Sequence, residues 1–134
     1  MPHVVIQYTA NLEPAVEIGA LCNALAEVIV AQRDGAGARL FPIGGTRVLA
    51  YPAPHFAVAD GGADRAFVYL NVRIAPGRQP ASVKATGEAL LAAVQRHFDV
   101  IFASRPIGIT LQIDEGAPVF DAKHSNLHPL FAGR

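Results

Sequence analysis

The sequence predicts an α+β fold of order β-α-β-β-α-β: a four-stranded mixed sheet with two helices packed on one face. Three observations carry this. Two breaker-free, β-branched runs, HVVIQY at His3–Tyr8 and AFVYLNVRI at Ala66–Ile74, read as strands. Each is followed by apolar residues at helical spacing and then by another extended run, so the pattern recurs after roughly sixty residues. A strand, a crossover helix and a second strand require a parallel pair with a right-handed connection, and two such units make the sheet. The 134 residues suit one domain, residues 1–134, with halves at about 2–51 and 66–114 and a C-terminal tail.

After the first strand, Asn11 is placed to cap a helix with Pro14 in its first turn, where a missing N–H costs least. Ile18, Leu21, Leu25, Val28 and Ile29 supply the apolar stripe, and Gly35 and Gly37 end the helix. A second extended stretch covers Arg39–Tyr51, interrupted by Pro42 and the Gly44–Gly45 pair. Pro52–Arg65, with two prolines and the run Asp60-Gly61-Gly62, is expected as a loop or irregular hairpin. Ala75-Pro76-Gly77 turns the third strand, and Pro80 opens a second helix. Its apolar positions are Val83, Leu90, Leu91, Val94, Phe98, Ile101 and Phe102, and Arg105-Pro106 stops it. Ile107–Ile113 alternates as the fourth strand, and the tail Asp114–Arg134 holds one apolar cluster, Leu127, Leu130 and Phe131. With both helices on one face the other lies bare. VVI and AFVYLNV send apolar residues to both sides, so the bare face requires a partner subunit.

Composition narrows the function. Eleven basic and eleven acidic residues cancel, which leaves no broad field for DNA, RNA or anionic lipid. No run of 18 uncharged apolar residues occurs, and MPHVVIQYTA lacks the basic region and cleavage site of a signal peptide, so a soluble cytoplasmic protein is expected. Charged residues are 16% of the chain against a usual quarter, an apolar surplus that points to a homo-oligomer. Cys22 is the single cysteine, which excludes an internal disulfide and any CxxC motif; it reads as a small buried hydrophobe.

Most familiar chemistries find no residues here. There is no GxGxxG after a strand, no GxxxxGK[ST], and no GxSxG around Ser82, Ser104 or Ser125. His124 and His128 stand four apart with Asp121 nearby, but Pro129 follows at once and no HExxH base exists, so no metal is expected. Asp114-Glu115 at a strand end reads as solvated, and His55 and His97 as surface or packing residues. What remains is Pro2. Aminopeptidases remove an initiator methionine before a small residue, proline included, which would leave a secondary amine at the start of an apolar strand. An α-amino group titrates near ~7.7–8.0, and both apolar burial and neighbouring cations lower that value, giving a neutral base near pH 7. Arg47, in Gly44-Gly45-Thr46-Arg47, and Arg78, in Ala75-Pro76-Gly77-Arg78, sit on glycine-rich turns, where a guanidinium can grip a carboxylate with two parallel bonds.

These residues resemble a known family. The PH start, Phe41-Pro42-Ile43-Gly44-Gly45-Thr46-Arg47, Ala66-Phe67-Val68, Ile74-Ala75-Pro76-Gly77-Arg78, Gly87-Glu88-Ala89-Leu90, His97-Phe98 and Asn126-Leu127-His128-Pro129-Leu130-Phe131 occur in order from end to end. Together they are similar to 5-carboxymethyl-2-hydroxymuconate isomerase, a branch of the tautomerase superfamily that includes 4-oxalocrotonate tautomerase. The resemblance implies a homotrimer of tautomerase-fold subunits that uses no cofactor and isomerises a tricarboxylate dienol to its unsaturated 2-oxo form during homoprotocatechuate breakdown. It implies Pro2 as catalytic base, Arg47 and Arg78 as catalytic and carboxylate-binding residues, and His3 and Phe41 as further substrate contacts. The family pattern is departed from at AQRDGAGARL, which is longer, and at Leu49, where some relatives carry a second arginine for which Arg73 could compensate. Two alternatives stay open: the same fold and proline used to hydrate, dehalogenate or decarboxylate a small acid, and a trimeric binding protein without catalysis.

Overall fold

Alternation along the strands decides which way each side chain faces. In a computed structural model describing Met1–Arg134, β1 (His3–Thr9) buries Val4, Ile6 and Tyr8 completely or nearly so, and leaves His3, Val5 and Gln7 on the other side. In β3 (Ala66–Ile74) the same period of two buries Ala66, Val68, Leu70, Val72 and Ile74. β2 (Arg47–Ala53) and β4 (Ile107–Glu115) complete a sheet of order β2-β1-β3-β4, parallel within each half and antiparallel between β1 and β3 at its centre. The two central strands thus carry most of the core, and the edge strands are half-exposed.

Two helices cover the buried face. α1 (Ile18–Ala31) contributes Leu21, Leu25 and Ile29, spaced four residues apart, and α2 (Pro80–His97) contributes Leu90, Ala93 and Val94. Phe41 and Phe98 fill the same core from the loops beyond these helices. Cys22 is half-buried against it, and burial pushes its thiol pKa up. The opposite face of the sheet carries Val5, Leu49, Tyr51, Phe67 and Tyr69 with no helix upon it.

Three sequence expectations need correction. The first helix begins at Ile18, not at Asn11: the residue before a proline is driven out of the α region, and Glu13, ahead of Pro14, is extended at φ −84° and ψ 144°. The Asn11 amide instead donates to the carbonyl of Arg65 at 2.7 Å, tying the first turn to the entry of β3. The second strand runs Arg47–Ala53 rather than Arg39–Tyr51, because Pro42 and the two glycines form a 3-10 turn, Ile43–Gly45. It continues through Pro52, which an edge strand accepts since one row of its backbone groups has no ladder partner. The second helix breaks at Phe98 (φ −98°, ψ 10°), leaving a short α3 (Asp99–Ser104) whose Phe102 is exposed. The long segment before Phe41 folds on itself: Asp34 Oδ1 accepts the N–H groups of Ala36 and Ala38, both at 2.9 Å, and Arg33 pairs with Arg39.

Candidate active site

The register of the sheet gathers charge at one end of its bare face. His3, first in β1, lies opposite Arg47 of β2 on one side and opposite Arg73 of β3 on the other. Arg73 in turn lies opposite Asp114 of β4. Residues at one register position project to the same side of a sheet. These four therefore form a row across it, one step from the buried Val4 and Val72.

His3, Arg47 and Arg73 wall a cavity of about 320 Å³. Met1, Ala75, Gly116 and Pro118 close its sides, and Asp121 and Lys123 reach in from the tail. Pro2 is buried just behind this wall, its carbonyl accepting the Arg47 N–H at 3.3 Å, so the start of the chain and β2 are held in fixed register. The Met1 side chain lies so close against Gly45 that any Cβ there would collide with it. The pKa of the Met1 amine is lowered from its ordinary 8.0. Burial is the largest cause, followed by the positive charges of Arg78, Lys123 and Arg47, with Asp121 acting the other way. His3 Nδ1 is buried and has no hydrogen-bond partner within the chain.

Arg78 does not line this cavity, yet its charge is the strongest of those acting on the amine. Gly77, at φ 107°, supplies the left-handed bend that turns the chain there. The Arg78 guanidinium donates to the Ala75 carbonyl at 3.0 Å and lies 4.5 Å above the centre of the Phe41 ring. Burial pulls its pKa down and Glu115 pushes it back up, and a guanidinium so placed stays a cation. Phe41 itself is only 1% exposed, so it supports Arg78 from beneath and does not line the cavity.

The tail completes the site. Its 3-10 turn, His128–Phe131, packs on the turn Ile43–Gly45, and His128 sits so tightly on Gly44 that a Cβ there would fall 2.9 Å from the His128 Cα. Asp121 and Lys123 form an ion pair at the cavity mouth. Neither residue nor Gly116 has a signal in the sequence: the tail lacks periodicity, and its path is set by contacts at Gly44 and Gly116. No three His, Cys, Asp or Glu side chains converge as metal ligands, and His124 and His128 stay in the tail.

A family model for 5-carboxymethyl-2-hydroxymuconate isomerase matches residues 2–131. The chain belongs to that family. It is 27% identical over 131 residues to the 5-carboxymethyl-2-hydroxymuconate Delta-isomerase of Escherichia coli, spanning 98% of this chain and 99% of that one. A crystal structure of a 5-carboxymethyl-2-hydroxymuconate delta-isomerase is 46% identical with a TM-score of 0.93, over 98% of this chain and 93% of its own. The isomerase structure from Deinococcus radiodurans R1 is 34% identical with a TM-score of 0.86, over 97% and 93%. Beyond the family, a fused 4-OT symmetric trimer, at 22% identity and a TM-score of 0.59 over 98% of each chain, shares the fold. No helix is long and apolar enough to cross a membrane.

Proposed function

We propose that the mature chain, beginning at Pro2, is a cytoplasmic isomerase that converts 5-carboxymethyl-2-hydroxymuconate, a tricarboxylate dienol, to its unsaturated 2-oxo acid. The observation that carries this is the start of the chain: a buried proline, joined to β2 through its carbonyl, beside a cavity whose amine is already depressed by burial and three cations. Loss of Met1 moves the amine one residue inward, beside the same cavity and the same cations. The charges that lower the Met1 amine therefore bear on the Pro2 nitrogen as well.

In this mechanism the neutral Pro2 nitrogen takes the proton of the enol hydroxyl. The freed electron pair becomes the carbonyl, the double bonds shift along the chain, and the same proton returns from nitrogen to the terminal carbon of the conjugated system. Arg47 and Arg78 hold two carboxylates and stabilise the negative charge of the dienolate between the two transfers. His3, with a free buried Nδ1, is placed for a further contact, and Phe41 fixes Arg78. The substrate is a small carboxylate, and the assembly is a homotrimer closed over the bare face of the sheet. That assembly is supported by Val5, Leu49, Tyr51, Phe67 and Tyr69 on the uncovered face, and by the trimer built on the same fold.

Replacing Pro2 by Ala in the mature protein leaves an amine but removes the rigid ring that fixes it. Turnover of the dienol, followed by loss of its ultraviolet absorbance, is expected to fall by about 100-fold or more, the size of general-base effects. A variant as fast as the parent, with Met1 removal confirmed by intact mass in both, contradicts the proposal.

A further inference from the structure

Arg73 is the one basic side chain of the cavity wall that neither the mechanism nor an internal partner uses. Ion pairs in the chain engage Arg65, Lys84 and Lys123, so Lys123 already has its carboxylate in Asp121. The acid in register with Arg73, Asp114, instead accepts a hydrogen bond from Asn71 at 2.7 Å. The Arg73 guanidinium lies along the backbone of Gly116, closer than any side chain at that position would allow. Gly116 is held there by its own N–H, which donates to the Ile74 carbonyl at 3.1 Å. A cation, unpaired and seated in a notch of backbone, faces a cavity proposed to hold a polyanion.

We infer that Arg73, seated in the notch at Gly116, binds the third carboxylate of the substrate and sets the preference for a tricarboxylate over a dicarboxylate dienol. This rests on the isomerase reading above. Arg47 and Arg73 flank β1 on opposite sides, so their backbones stand about 10 Å apart, two strand spacings. Both side chains line the one cavity, with His3 on the strand between them. Arg47 and Arg78 suffice for a dienol with two carboxylates, whereas the carboxymethyl arm needs a third cation. A bidentate guanidinium–carboxylate pair discriminates for and against that arm more sharply than a point charge does.

The test compares kcat/KM for 5-carboxymethyl-2-hydroxymuconate with that for 2-hydroxymuconate, which lacks the arm, in the mature protein and three variants. In Arg73→Met the ratio of the two is expected to fall about 10- to 100-fold, the value of a lost charge-assisted hydrogen bond, with the change in KM. Arg73→Lys keeps the charge but not the fork and falls between. Gly116→Ala keeps the arginine and displaces it from its notch, so the ratio drops in the same direction without a change of charge. An unchanged ratio in Arg73→Met, whether both substrates slow together or neither does, overturns the inference while leaving the isomerase reading intact. A parent protein that turns over neither acid overturns both.

Discussion

Phe41→Leu tests whether Arg78 is held in place by the ring beneath it. The guanidinium carbon is 4.5 Å from the centre of a ring that is 1% exposed, so the ring side of the contact is dry and the pair is worth about 1–2 kcal/mol. Replacing the ring with a smaller aliphatic side chain adds a packing loss of about 1 kcal/mol, the difference between typical Phe→Ala and Leu→Ala costs. Phe98→Leu is the control: Phe98 is equally buried but has no cation on its face, so it should lose only the packing share. Urea unfolding at fixed protein concentration is therefore expected to show a drop of about 2–3 kcal/mol for Phe41→Leu and about 1 for Phe98→Leu. Because Arg78 is a proposed carboxylate anchor, Phe41→Leu should also raise KM by about 5- to 30-fold, the same 1–2 kcal/mol read in binding, with a smaller effect on kcat. Equal KM values in the two variants would refute the idea that Phe41 acts through Arg78.

Other consequences follow from the same packing. Gly44→Ala puts a methyl group 2.9 Å from the His128 Cα, backbone that cannot turn aside, so the tail should lift and trypsin should cut after Lys123 faster than in the parent. An unchanged cleavage rate would show that the tail does not depend on this contact. The Tyr8 hydroxyl is pushed from 10.0 up to about 12, first by burial and then by its hydrogen bond to Glu13. An acid whose folded pKa is raised stabilises the fold below its unfolded value and loses that contribution as pH rises through the folded one. Stability should thus decline between pH 10 and about 12, and Tyr8→Phe should flatten that part of the curve. Light scattering should give a mass near three times 14.1 kDa, and Leu49→Glu on the bare face should lower it; a monomeric parent would contradict the assembly.

The strands were legible because their period of two survives into the structure: Ala66–Ile74 was read to the residue, and every second side chain of it is buried. The proline rules cut both ways. Pro80 opens α2 as expected because Gln79 before it is free to be extended, whereas the same restriction on Glu13 delays α1 to Ile18. Propensity suggested a cap at Asn11, but a tertiary contact with Arg65 took that side chain. For the site, Pro2 is singled out by the amine that Met1 removal would expose, Arg47 by its glycine-rich turn and His3 by the family resemblance alone; the register of β1 and β2 then sets His3 and Arg47 on one cavity wall. Arg78 is singled out by its glycine turn, but its seat on Phe41 is not, since that contact joins segments almost forty residues apart. Arg73 became a wall residue only once the antiparallel register placed it opposite His3. Asp121, Lys123 and Gly116 depend on a tail whose path is set by shape, at Gly44 and along Arg73, rather than by any periodic pattern.

The most direct measurement is a nitrogen-15 NMR titration of the Pro2 amine in the mature protein. Its pKa should lie below the ~7.7–8.0 of a solvated terminus, coincide with the rising limb of kcat/KM against pH, and climb when the charge of Arg78 is removed. A value at or above the solvated range, indifferent to Arg78, would mean that this nitrogen is an ordinary protonated amine at neutral pH and not the base.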